Sequence, residues 1–207
     1  MFQLDEFRLD ERGLIYPYDK VIKTNLLTVF NKFVNDFDLS SSRKEIFRYY
    51  LKYIQDFSKD VTSNWTQWLG GSYFTNKLNP KDIDLVNFIK NEYVINTSPQ
   101  VLRKYMKLSN TALEIMKFEK ELDSLDLYKI DGSIIPILDL SKPEYQEGGE
   151  KFEYRKTIES KFEHYTALFS NDLRDGISKR RGILSVKIDF NNEEFKNDFY
   201  SLKESLK

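Results

Sequence analysis

The chain has 207 residues, 40% of them hydrophobic and 15% aromatic, which suffices for an ordinary core and argues against disorder. Its 32 Lys and Arg nearly cancel 33 Asp and Glu, so net charge gives no sign of general nucleic-acid binding. Without cysteine, and with His164 as its one histidine, it can form no disulfide, thiolate site or histidine-rich metal centre; a metal would be held by carboxylates, which select hard ions such as magnesium or manganese.

The N-terminus lacks the basic flank and apolar run of a signal peptide, and no stretch reaches the roughly 20 apolar residues of a membrane span. A soluble, cytoplasmic protein is expected, built as one domain over 1–207 with a helical N-terminal part at about 19–60. Residues 1–18 read as a lead-in broken by Gly13 and Pro17. From Asp19, Ile22, Leu26, Val29, Phe30, Phe33 and Phe37 recur at helical spacing. Ser42 and Glu45 have capping-box spacing, so a second helix should follow, burying Ile46, Phe47, Tyr50, Leu51, Ile54 and Phe57. The Lys and Arg residues on the opposite side read as a solvated face rather than a binding site.

Thr66 to Leu69 reads as a strand running into a tight turn at Gly70-Gly71-Ser72. Lys81 to Ile89 alternates and predicts a strand with one polar face. Ser98-Pro99 has helix-start chemistry, and helix is expected from there to about Leu122. Leu125–Ile130 and Ile134–Leu140 are two strand candidates around a turn signal at Asp131-Gly132. A helix carrying Ile158, Phe162, Tyr165 and Phe169, a strand over Ile183–Phe190 and a polar tail complete the chain. The order implies an α+β domain with helices flanking one mixed sheet.

Asp82 and Asp84 stand two apart on a predicted strand, so both carboxylates project from one face. Like charges there resist ionising together, and a divalent cation relieves that cost. Ten residues upstream, Gly70-Gly71-Ser72 offers backbone N–H groups and a hydroxyl in a turn able to cradle phosphate, with Lys77 and Lys81 near in sequence. Either half alone recurs by chance as a hairpin turn or a solvated strand face; together, in strand–turn–strand order, they suggest a metal–phosphate site.

The run Trp68-Leu69-Gly70-Gly71-Ser72, a spacer, then Asp82-Ile83-Asp84-Leu85 resembles the signature of the DNA polymerase beta-type nucleotidyltransferase superfamily. More narrowly, the chain looks like a small, mostly uncharacterised bacterial family. The matching segments are Gly13-Leu14-Ile15-Tyr16-Pro17, Gly71-Ser72-Tyr73-Phe74-Thr75-Asn76-Lys77, Pro80 to Leu85, Asp172 to Gly176, and Arg181-Gly182-Ile183. The resemblance implies the nucleotidyltransferase fold and a metal-dependent transfer of a nucleotidyl group from a nucleoside triphosphate to a hydroxyl on protein, nucleic acid or a small molecule.

It also implies that Asp82 and Asp84 bind magnesium or manganese, that Gly70, Gly71, Ser72 and Lys77 hold the phosphates, and that a third carboxylate completes the site. Asp126 is favoured for that role on family analogy, with Asp139 as the competitor. The alternative is a catalytically inactive relative that binds or regulates a partner protein from a neighbouring gene, in a toxin–antitoxin or anti-phage module. The basic run Ser178-Lys179-Arg180-Arg181-Gly182 could reach triphosphate or an acidic partner, or be an ordinary charged loop. His164, with no second histidine, reads as structural or exposed, and Trp65 and Trp68 as core.

Overall fold

A computed structural model describes residues 4–37, 39–40, 42–107, 122–172, 176 and 178–206. Its centre is a five-stranded mixed sheet of β3 (Val21–Thr24), β4 (Asn64–Gly70), β5 (Ile83–Lys90), β6 (Ile130–Ile137) and β9 (Ile183–Asp189), in the order β3-β9-β4-β5-β6. The β3–β9 and β5–β6 pairs are parallel, whereas β4 runs antiparallel to both of its neighbours. Two small hairpins flank it: β1 (Arg8–Leu9) with β2 (Ile15–Tyr16), and β7 (Asn171–Asp172) with β8 (Lys179–Arg180). The fold is therefore α+β with a mixed sheet, as the element order implies.

One sheet face is covered by α1 (Leu26–Phe33), α2 (Arg43–Asp60) and α7 (Glu193–Ser205), which share the main apolar cluster. The other carries α6 (Phe152–Ser170), whose Ile158 and Phe169 pack with Trp68, Val86, Phe88, Ile135 and Ile183. Both tryptophans are core residues, and the six apolar positions expected to face inward on α2 are all buried. Short helices α3 (Asn91–Asn96), α4 (Pro99–Arg103) and α5 (Ser124–Tyr128) lie between β5 and β6 in the chain. Ser98 caps α4, accepting from Val101 N. The rest of the helix expected to reach Leu122 falls largely on residues 108–121, outside the described residues.

Four local readings are corrected. Ile22 lies on β3, not in the first helix: Asn25 caps α1 by accepting from Thr28 N at 2.8 Å, and parallel pairing with β9 claims the residues before it. Leu125–Ile130 is not a strand, because the Asp123 carboxylate caps α5 from Leu125 N and Asp126 N and Lys129 ends it in the left-handed conformation. Asp131-Gly132 is no turn; both residues lie inside β6. The polar tail is an amphipathic helix capped by Asn192, with Phe199 and Leu202 buried in the main core.

The α2 face also buries a connected polar network. Asn87 accepts from Trp65 Nε1 and Gln67 Nε2 and donates to Tyr53 Oη, while Tyr50 Oη donates to Gln67 Oε1. Each group here is satisfied by another, which is the condition for burying polar atoms without a large penalty. Burial raises the Tyr50 and Tyr53 hydroxyls far above the ordinary tyrosine range, so both remain neutral donors. No described helix is long and apolar enough to cross a membrane.

Candidate metal and phosphate site

Gly70, Asp84 and Asp131 form a row across three adjacent strands: Asp84 pairs with Gly70 on β4 and with Asp131 on β6. In-register neighbours share a face, so the two carboxylates emerge side by side from strands roughly 4.8 Å apart. Asp82, just before β5, adds a third negative charge to the same field. Asp84 is pushed up to about 6, first by burial and then by repulsion from Asp82 and Asp131, with Arg181 and Lys107 partly offsetting it. Lys107 makes a 2.5 Å ion pair with Asp131.

The glycines are dictated by this packing. Gly71 has φ of 74°, and a Cβ there would fall 1.6 Å from Asp84 Oδ2, so no side chain fits between turn and carboxylate. At Gly70 a Cβ would strike the Phe169 ring at 2.6 Å, since the end of α6 lies directly over it. Ser72 then opens a one-turn 3₁₀ helix, Ser72–Phe74, and its carbonyl accepts from Thr75 Oγ1 at 2.8 Å.

Two buried arginines shape the turn and the loop after it. Arg181 donates to the Gly71 carbonyl at 2.8 Å and to the Phe169 carbonyl at 2.9 Å. Arg43, fully buried at the start of α2, donates to the carbonyls of Phe33, Tyr73, Thr75 and Lys77 at 2.6–2.9 Å. Burial lowers its guanidinium to about 10, and the Phe37 and Tyr73 rings lie against it. Arg43 lies on the buried side of α2, whereas Lys44, Arg48, Lys52 and Lys59 are exposed, as expected of the opposite side. Its four carbonyls leave no local sequence signature.

The basic run also divides. Arg181 turns inward as a brace, whereas Arg180 is exposed and pairs with Asp19 at 2.9 Å. Segments far apart in sequence meet around the turn: Gly13 O accepts from Asn76 N, and Ile15 O accepts from Gly182 N. Gly182 is forced by close approach too, a Cβ there meeting Pro17 O at 2.6 Å.

The structure brings together Gly70, Gly71, Asp82 and Asp84, with Ser72 next in the turn. Lys77 lies exposed at the far end of the Arg43-braced loop. Asp126 does not join them: it is exposed on α5, where it serves only the first turn of that helix. Asp139, beyond β6, is exposed and bonds Ser141. Asp131 occupies the position beside Asp84 that both were expected to fill. Its Asp-Gly context mimics a turn, while Gly132 is small because the Tyr105 carbonyl would lie 2.6 Å from a Cβ. His164 is exposed on α6. Among the described residues, no three metal-type side chains are already converged as a ligand set.

A groove of about 360 Å³ opens on the same sheet face, lined by Phe88, Ile135, Leu138, Ile158 and Phe162. Phe88 and Ile135 stand four residues beyond Asp84 and Asp131 on their strands, a separation of about 13 Å.

A family model matches residues 7–187, from the first hairpin to the last strand. The chain belongs to DUF6932, a family of unknown function. The matched span contains every glycine, carboxylate and arginine of the site. No curated protein and no solved structure matches this DUF6932 chain.

Proposed function

We propose that this DUF6932 protein is a metal-dependent nucleotidyltransferase with a nucleotidyltransferase-type fold. Its site would consist of the Gly70-Gly71-Ser72 turn and the carboxylates of Asp82, Asp84 and Asp131. The observation that carries the reading is the row Gly70–Asp84–Asp131, in which a turn that only glycine can make lies against a half-buried carboxylate flanked by two more. The donor set fits magnesium or manganese: oxygen ligands only, and an Asp84 whose ionised form is disfavoured without a nearby cation.

When bound, the cation would screen phosphate charge and make an acceptor hydroxyl more acidic. The chain's own part is positional. Gly71 and Ser72 N–H groups and the Ser72 hydroxyl would hold phosphate oxygens, and Arg181 would fix the turn through the Gly71 carbonyl. Asp131, taking the role the resemblance assigns to a third carboxylate, would accept the hydroxyl proton. The apolar groove along β5 and β6 would seat the acceptor or the nucleobase.

The experiment is a transfer assay. Each labelled nucleoside triphosphate is incubated with manganese or magnesium, the protein and cell lysate or RNA. Label should enter a discrete acceptor, and both Asp84→Asn and Asp131→Asn should abolish it. Triphosphate binding without transfer in any combination would replace this reading with that of an inactive regulatory relative.

A further inference from the structure

Lys107 belongs to none of the sequence motifs, yet its ammonium group makes a 2.5 Å ion pair with Asp131 in the acidic row. Its backbone is pinned beside that row. Lys107 N donates to the Gly132 carbonyl at 2.9 Å, one residue from Asp131. The preceding Tyr105 is fully buried, its hydroxyl donating to Asp60 at 2.7 Å and its carbonyl accepting from Tyr53 Oη at 3.0 Å. The side chain is different: it is 43% exposed, on a four-carbon stem that can swing about its anchored Cα.

Its ammonium group contacts Asp131 and also lies in the field of Asp82 and Asp84. It therefore supplies positive charge to the carboxylates that the proposed function assigns to a divalent cation. A partly exposed ion pair is weak enough to be exchanged. A lysine freed from Asp131 stays tethered at the mouth of the site, where phosphate oxygens would be its next partners.

We propose that Lys107 is an exchangeable counter-charge: it holds Asp131 until a divalent cation takes that carboxylate, and then binds the polyphosphate tail of the substrate. This rests on the metal–phosphate reading of the same site. The role is a binding one and accounts for a lysine whose backbone is fastened while its side chain stays partly exposed.

The test compares wild type, Lys107→Met and Lys107→Arg, with urea unfolding to verify that each folds. The probes are manganese alone and inorganic tripolyphosphate at saturating manganese, which avoid any choice of nucleobase. Lys107→Met should tighten manganese at least about fivefold, because a competing charge is gone, and weaken tripolyphosphate at least about fivefold. Lys107→Arg should keep tripolyphosphate binding near wild type. Unchanged or weaker manganese binding in Lys107→Met, or unchanged tripolyphosphate binding, overturns the proposal. If wild type shows no saturable manganese binding that Asp84→Asn removes, the metal reading itself falls and takes the Lys107 role with it.

Discussion

The two faces of the sheet treat buried polarity in opposite ways. Toward α2, Asn87, Gln67, Tyr50, Tyr53 and Trp65 satisfy one another, and the network is closed. Toward α6, Asp84 meets two other carboxylates and is left with raised affinity for a proton. Asn87 and Asp84 are three residues apart on one strand, so a single strand serves both solutions. A polar group closed by its neighbours builds structure, while one left in surplus charge is available to a ligand.

Breaking the closed side should cost the most. Asn87→Leu leaves Gln67, Trp65 and Tyr53 without their shared partner and should lower unfolding free energy by about 3 kcal/mol, read from urea melts. A loss below about 1 kcal/mol would mean that the network is no more than filler.

The open side should behave in the reverse sense. Because Asp84 is pushed up to about 6 in the folded state, above the ordinary aspartate value of about 4, the folded protein binds the extra proton between those values. Stability contributed by this group is then full below about pH 4 and lost as pH rises through about 6. Asp84→Asn removes the penalty, so it should stabilise the protein by roughly 2 kcal/mol at pH 7.5, with the difference from wild type shrinking toward pH 4. A destabilised variant at pH 7.5 would show that Asp84 is already compensated and that the contrast between the faces is false.

The two neighbouring arginines sharpen the comparison further. Arg181→Met, which frees the Gly71 and Phe169 carbonyls, should cost about 2 kcal/mol, whereas Arg180→Ala, which removes one exposed ion pair, should cost less than about 0.5 kcal/mol. Equal effects in thermal melts would remove the distinction.

Those arginines also mark where sequence reading ends. The strand of Asp84, the glycine turn, the apolar face of α2 and β9 were legible because each follows a period or a turn rule that local residues obey, whereas Asp82 falls just before its strand and Ser42 bonds the Pro80 carbonyl instead of capping α2. The third carboxylate was not legible. Asp131-Gly132 carries a turn signature, and only pairing with Asp84 on β5 makes it part of a strand. Asp126 is placed on a strand by family analogy through Leu125-Asp126-Leu127-Tyr128, yet capping by Asp123 turns so short a stretch into helix. The Asp123-Ser124 pair was the available cue. Nothing local distinguishes Arg181 from Arg180, or Arg43 from the exposed bases of α2, since burial is decided by carbonyls from distant segments.

The central claim, that Asp131 rather than Asp126 completes a metal site with Asp82 and Asp84, is tested most directly by titrating manganese into wild type, Asp131→Asn and Asp126→Asn and following free manganese by electron paramagnetic resonance. Wild type and Asp126→Asn should show the same saturable binding, and Asp131→Asn should bind at least about tenfold more weakly. Loss of binding in Asp126→Asn with Asp131→Asn unchanged, or no saturable binding in any of the three, would contradict it.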